Sequence, residues 1–258
     1  MMRYLKLQSV ALVCGLLSAV AVEAADVEAQ LDWVGRVELG TLVSGVVTEL
    51  DAVPGVQVPA GHVLLRLDQR GIRARLDEAQ ARAKSAELEF SEAKREMGRA
   101  QELYDRTVLS DHELMEAKIA FSKADVLKRR DDALLAQAQM DLHYSEIRAP
   151  FDAVVLKSNA QVGQVVATQL LAVPLVVVAE AGRMVAHAEV DAETAARLVA
   201  GSAAKVRVGA IQYAGEVRGV GLEPVGRQSG GPRYEVTVVF STKKNILRAG
   251  QTARIEWQ

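Results

Sequence analysis

Between Ile72 and Tyr104 the apolar residues Ile72, Leu76, Ala79, Ala83, Ala86, Phe90, Ala93, Met97, Ala100 and Tyr104 fall at spacings that alternate four and three without a break. A period of 3.5 held over this length is the signature of one apolar seam on a helix that packs against another helix. Asp68 is the candidate N-cap, and the helix then runs to about Tyr104, some 50 Å at about 1.5 Å per residue. Ser110-Asp111-His112-Glu113 has the capping-box pattern, in which the serine oxygen accepts a backbone N–H three residues on and the glutamate reaches back. A second helix therefore starts there and is expected to end near Tyr144. Its seam is visible at Leu114, Ala117, Phe121 and Ala124, blurs across Lys128 to Asp132, and resumes at Leu135, Ala138 and Leu142. Pro150 forces Ala149 out of helical conformation and into a returning strand. Two helices of similar length joined by about five residues fold back antiparallel. Alanines along the seam allow close approach but bury little area, so a partner surface would add to the stability of the pair. Taken alone, such a hairpin is equally a spacer or a dimerising coiled coil.

Two β-like segments flank it and read as copies. Gly45-Val46-Val47 is followed by Gly55 ten residues after Gly45, and Ala153-Val154-Val155 by Gly163 ten residues after Ala153. The same offset of 108 aligns Ala52 with Ala160 and Val58 with Val166. This predicts two related β-modules, each too small to bury its own apolar face, that pair face to face. Pro54-Gly55, Pro59-Ala60-Gly61 and the run from Asn159 to Gly163 supply the turns.

Beyond them the chain reads as strands at Met184 to Val190, Ala203 to Val208, Gly215 to Val220, Arg233 to Phe240 and Thr252 to Trp257. Tyr234, Val236, Val238 and Phe240 share one face by period two. One short helix, about Ala192 to Val199, is capped by Asp191 and stopped by Gly201. Short strands with one helix suggest a small β-barrel, with turns at Pro224 to Gly226 and at Ser229-Gly230-Gly231-Pro232. The expected fold class is mainly β with a long antiparallel coiled-coil hairpin. The expected organisation is a signal segment at 1–24, a sandwich split between 25–68 and 149–175, a hairpin at 69–148 and a barrel at 176–258.

Arg3 and Lys6 precede an apolar run from Leu7 to Val22 that ends in Val22-Glu23-Ala24, a secretory pattern with cleavage expected after Ala24. The run is shorter than the roughly twenty residues a spanning helix needs, although an uncleaved anchor is the alternative. Val13 before Cys14 speaks against a lipoprotein signal. With Cys14 removed, no thiol remains for a disulfide, a zinc site or a nucleophile. Removing Arg3, Lys6 and Glu23 leaves 29 basic against 32 acidic residues, a net charge of −3 that argues against nucleic acid as a partner.

The residues offer little for catalysis or cofactors. His62, His112, His143 and His187 fall in different predicted elements without ligand spacing, so no metal site is expected. Met97, Met115, Met140 and Met184 are the residue type that binds Cu(I), but three lie on the long helices, where methionine more often fills a seam. There is no phosphate-cradling glycine loop and no nucleophile elbow. Asp131-Asp132 beside Lys128, Arg129 and Arg130 reads as a solvated face. An enzyme is not expected.

Several stretches together carry a family resemblance. They are Ser44-Gly45-Val46-Val47, the run Pro54 to Leu65 with its Pro-Ala-Gly, the heptad hairpin, Ile147-Arg148-Ala149-Pro150-Phe151-Asp152, and Val162-Gly163-Gln164-Val165. The chain resembles the periplasmic adaptor, or membrane fusion, proteins of tripartite efflux pumps over nearly its whole length after the signal. The resemblance implies that the split halves form a lipoyl-like barrel-sandwich. It also implies that the hairpin reaches a TolC-like outer-membrane channel and that an inner-membrane transporter binds below. Arg99, Leu103 and Ser110 match the family's docking pattern of Arg, three residues, Leu, six residues, Ser, and by resemblance contact the channel. Physically, Arg99 offers a planar donor fork, Leu103 an apolar knob, and Ser110 either a cap or an intermolecular donor. Ala153 stands where the family usually has glycine, and Met115 where an acidic residue is common. The membrane-proximal domain of longer members is expected to be missing.

The leading reading is an adaptor of a resistance-nodulation-division (RND) pump, forming a homo-oligomeric ring without a cofactor. An adaptor for an ABC-type exporter or type I secretion system shares every feature named. A biotin or lipoyl carrier would need a lysine at an exposed turn of the sandwich, and Lys157 does not sit in one. A purely structural coiled-coil scaffold is less consistent with two flanking β-modules.

Overall fold

The computed structural model describes residues 26–168, 174–228, 231–242 and 247–257. The expected signal segment with Cys14, and Ser229-Gly230 of an expected turn, lie outside these residues. The first strands are β1 (Val27–Trp33), β2 (Val37–Leu39), β3 (Gly45–Leu50), β4 (Gln57–Val58) and β5 (Val63–Leu67). The helices α1 (Arg70–Asp105) and α2 (Asp111–Tyr144) follow, then β6 (Glu146–Arg148), β7 (Ala153–Ser158), β8 (Val165–Val166) and β9 (Val176–Glu180). The remainder is β10 (Arg183–Asp191), α3 (Ala192–Arg197), β11 (Ala203–Val208), β12 (Ile211–Gln228), β13 (Gly231–Ser241) and β14 (Thr252–Trp257).

The sandwich consists of two four-stranded sheets, ordered β2-β9-β7-β4 and β6-β5-β3-β8. The offset of 108 recurs in the backbone, since β3 and β7 begin and end 108 residues apart, as do β4 and β8. It recurs in the hydrogen bonds too. Gly55 N donates to Val155 O and Gly163 N to Val47 O, both at 2.8 Å, while Val155 N reaches Val56 O at 3.0 Å and Val47 N reaches Gln164 O at 2.9 Å. Gly55 and Gly163 adopt φ of +87° and +88°, a left-handed conformation open to glycine without steric cost. The two modules do more than face each other. They exchange strands, β4 of the first half pairing with β7 of the second and β8 of the second with β3 of the first. Leu64, Leu65, Leu67, Val155, Val176 and Val178 fill the space between the sheets, with Ala52 and Ala160 buried at corresponding positions.

The barrel closes in the order β1-β10-β13-β12-β11-β14, with β14 returning to β1 through Val27 opposite Ile255. Ala29, Val206, Val217, Val236, Val238 and Ile255 point inward by period two. A side chain at Gly215 would meet Val238 at 2.9 Å, so the strands approach closely there.

Three expected boundaries move. β1 lies in the barrel and not in the sandwich, β9 lies in the sandwich and not in the barrel, and β6, expected within the hairpin segment, pairs with β5 as a sandwich edge. The turn expected at Pro224 to Gly226 lies inside β12, which is 18 residues long. Register shifts between Val217 and Gly219, Val220 and Pro224, and Pro224 and Gly226 absorb the proline, as bulges do.

The hairpin helices start and stop within a few residues of the heptad reading, but Asp68 is not the N-cap. That position belongs to Gln69, whose side chain does not cap the helix. Asp68 instead accepts from Arg70 N at 3.0 Å and pairs with the Arg70 guanidinium. Those two bonds, the guanidinium first, hold its carboxyl at about 2. The blurred stretch of the second seam is an unbroken heptad carrying polar residues. Continuing the spacing from Ala124 gives Lys128, Asp131 and Leu135. Asp131 is buried, and Lys128 Nζ crosses to Glu87 on α1 at 2.9 Å. Asp131 is thus not part of a solvated face.

A polar lock joins the hairpin to the sandwich. Gln69 Nε2 donates to Ser145 Oγ at 2.8 Å, so the residues flanking the two helices bind each other while both are buried. Gln69 and Arg66 also donate to Glu146, at 3.1 and 2.9 Å, and Thr41 Oγ1 donates to Tyr144 O at 2.6 Å. Burial alone would raise the Glu146 carboxyl, but hydrogen bonds from Arg66, Arg148 and Gln69 outweigh it and hold the group below its ordinary value.

Candidate docking site at the hairpin tip

Arg99 and Leu103 sit one turn apart on the last turns of α1, a spacing that puts them on the same helix face. Arg99 is exposed and its Nη1 meets Glu96 Oε1 at 2.9 Å, an exposed pair of the kind that contributes little to stability. Leu103 is half-buried. Ser110 lies across the connection as the N-cap of α2, where both halves of the capping box form. Glu113 N donates to Ser110 Oγ at 3.4 Å and Ser110 N donates to Glu113 Oε2 at 2.9 Å. The serine hydroxyl also donates to Glu113, at 2.6 Å. These bonds hold the Glu113 carboxyl below its ordinary value, the hydroxyl first and the Ser110 backbone N–H second. The structure therefore shows Ser110 acting as a cap.

The connection itself was not singled out by sequence. Thr107 N donates to Tyr104 O at 2.8 Å and Val108 N donates to Leu103 O at 3.0 Å. This nested pair is the Schellman closure of a helix C-terminus, in which the residue after the C-cap turns left-handed. Glycine usually fills that position, yet here it is Thr107, at φ +63°. Val108, next in line, is 70% exposed. A sequence signal existed, because Arg106 to Leu109 contains no glycine and the chain must still reverse. Tyr104, 37% exposed, borders the same connection, and its hydrogen bond to the Asp111 carboxylate raises its phenol above the ordinary value.

The other motif stretches meet in the sandwich. Asp152 of the Ala149-Pro150-Phe151-Asp152 return accepts from Ala60 N at 2.9 Å, and Gly61 N donates to Ala149 O at 2.8 Å. The return is thereby pinned to the Pro59-Ala60-Gly61 turn. Lys157 lies within β7, opposite Val177 of β9, and not at a turn. The four histidines have separate neighbours: His62 meets Asp51 at 2.7 Å, His112 meets Glu116 at 3.4 Å, His143 stacks edge-on with Tyr144, and His187 meets Glu235 at 2.6 Å.

Residues 74–145, which contain Arg99, Leu103 and Ser110, match the family described as the alpha-helical hairpin domain of RND membrane fusion proteins. The hairpin segment of this chain is thus similar to that domain. Among curated relatives, the multidrug resistance protein MdtA of Pectobacterium carotovorum is 29% identical over 127 residues, 49% of this chain and 31% of that protein. The membrane fusion protein Spr0693 of Streptococcus pneumoniae shares the fold with a TM-score of 0.67 at 14% identity, over 91% of this chain and 98% of that one. A MacA-MexA chimera carrying the Pseudomonas aeruginosa MexA hairpin shares it with a TM-score of 0.63 at 20% identity, over 91% of this chain and 81% of that one. The hairpin with its flanking sandwich is thus an arrangement that this chain shares with those structures.

Proposed function

We propose that this chain is an exported periplasmic adaptor of a tripartite efflux pump. It links an inner-membrane transporter of the RND type to a TolC-like outer-membrane channel, as a homo-oligomeric ring and without a cofactor. The observation that carries the reading is the match of residues 74–145 to the hairpin domain of RND membrane fusion proteins, on the segment that holds the docking pattern. In this reading the hairpin tip is the channel-facing end. Arg99 offers its donor fork to acceptors on the channel, Leu103 adds apolar contact, and Ser110 fixes the start of α2 so that both are presented in register.

Arg99→Asp tests the reading directly. The side chain is exposed and its ion pair with Glu96 lies along its own helix turn, so the variant should melt as the parent does while a complemented deletion strain loses export. Undiminished efflux by a variant confirmed at normal abundance would rule the docking assignment out.

A further inference from the structure

We infer that copies of this chain associate side by side through the half of the hairpin nearest the sandwich, the outer face of α1 in one copy packing on the outer face of α2 in the next. The inference rests on the ring reading above and deepens it by naming the two surfaces that join neighbouring copies.

The hairpin carries a second repeat that its own seam does not use. On α1, Ala74, Ala81 and Leu88 recur every seven residues on the face opposite the seam. On α2, Val126, Ala133 and Met140 do the same. All six are exposed, Leu88 at 65%, Val126 at 62% and Met140 at 47%. An apolar repeat of seven is the spacing at which one helix meets another along its length. What covers each stripe is therefore a helix.

The two stripes also fit each other. Gln69 hydrogen-bonds Ser145 across the base, so residues whose numbers add to the same total stand at one height on the antiparallel helices. Leu88 is then level with Val126, Ala81 with Ala133 and Ala74 with Met140. Between them each long polar side chain comes level with a small residue, Arg129 with Ser85 and Glu78 with Ala136. The edges match in charge, since Glu89 and Lys123, Arg75 and Asp141, and Lys84 and Asp132 each lie within two residues of one height. Arg82 and Arg130 come together as like charges, but each is already paired along its own helix, with Glu78 and Asp131. Two copies standing level thus present an apolar centre between complementary charged edges. Toward the tip the match ends, because the next steps of seven on α1 are Arg95 and Glu102.

The stripes lie on opposite sides of the hairpin, so each copy offers α1 to one neighbour and α2 to another. Such a contact is heterologous, and it repeats from copy to copy until the rotation closes it into a ring.

The test uses the full chain with Cys14, its only cysteine, replaced by serine. Leu88→Cys combined with Val126→Cys should give, on mild oxidation, a ladder of disulfide-linked multimers. Leu88→Cys combined with Met140→Cys sets the thiols about 21 Å out of step along the helices and should give none. In sedimentation velocity, Ala81→Glu should weaken association about tenfold or more because it buries an unpaired charge, and adding Ala133→Lys should restore it. If the parent assembles but the Leu88 and Val126 pair gives no ladder, or Ala81→Glu associates undiminished, this inference is overturned and the ring stands on another surface. If the parent sediments as a monomer and no ladder forms, the ring reading fails and this inference with it. An equal ladder from the out-of-step pair would refute the register. Linked dimers from either single cysteine variant would show a two-fold contact in place of the heterologous one.

Discussion

Leu64, Leu65 and Leu67 are sealed inside the sandwich, whereas the buried positions of the hairpin are mostly alanines, at Ala79, Ala83, Ala86, Ala124 and Ala138. Burying a leucine contributes about 1.5–3 kcal/mol, and a methyl group contributes far less. The sandwich is thus held by its own interior. The hairpin has a lighter seam, with the Phe90–Phe121 pair between its helices, and its ends are fixed by the Gln69–Ser145 lock at the base and the Ser110 capping box at the tip. Midway it carries Lys128 and Asp131 at seam positions, where polar residues fix register at some cost in stability. An element built this way keeps a defined geometry while leaving much of its surface available for a partner.

Substitutions can break this contrast, beginning where the effect is largest. Leu65→Ala should cost about 2–5 kcal/mol in denaturant unfolding, since it opens a cavity in a closed core. An equal loss from truncating any hairpin seam alanine to glycine would mean that the two regions are held in the same way. Gly55→Ala and Gly163→Ala should each cost about 1–2 kcal/mol. Nothing crowds either position, so the cost is conformational and should be the same in both halves. A large difference between the two would show that the strand exchange is less symmetric in solution than in its hydrogen bonds.

Smaller effects sharpen the account of the hairpin's ends. Ser110→Ala should cost about 1 kcal/mol, read as earlier thermal loss of helical ellipticity with little change in the sheet signal. Glu146 should give the weakest effect, and a pH-dependent one. Its carboxyl ionises at lower pH in the folded chain than the ordinary glutamate value of about 4.3, so its contribution is full above that value and fades as pH falls through the folded one. Glu146→Gln should therefore melt below the parent at neutral pH, and the gap should narrow on acidification. A gap independent of pH would assign the loss to packing.

The hairpin was legible because its signals are local. Heptad spacing, a capping box and a proline act within a few residues, and they set the ends of α1 and α2. Strand membership was not legible for the opposite reason. β1 alternates Val27, Ala29 and Leu31 inward, but nothing in those residues says that Ile255 lies opposite. β12 passes through Pro224 because bulges accommodate it, and bulges are set by the partner strand. The offset of 108 revealed two related modules without revealing their exchange, since register belongs to pairs of strands. At the tip, the three docking candidates came from a pattern, while Thr107 and Val108 came from a dihedral angle and an exposure that spacing does not encode.

The exchange of strands has a consequence for how the chain is made. During synthesis the first half leaves the ribosome with β3 able to pair only with β5 and with β4 lacking its partner, because β8 and β7 arrive only after both long helices have been completed. Bringing distant segments together carries an entropic cost that grows with the length of the intervening loop, and contacts of this kind slow folding. Helices form faster than such contacts and zip from a short connection. Once the paired helices carry Ser145 back to Gln69, β7 and β8 need to search only a short distance for the edges of β4 and β3. The segment that reaches outward in the finished protein also serves as the clasp that lets the protein close.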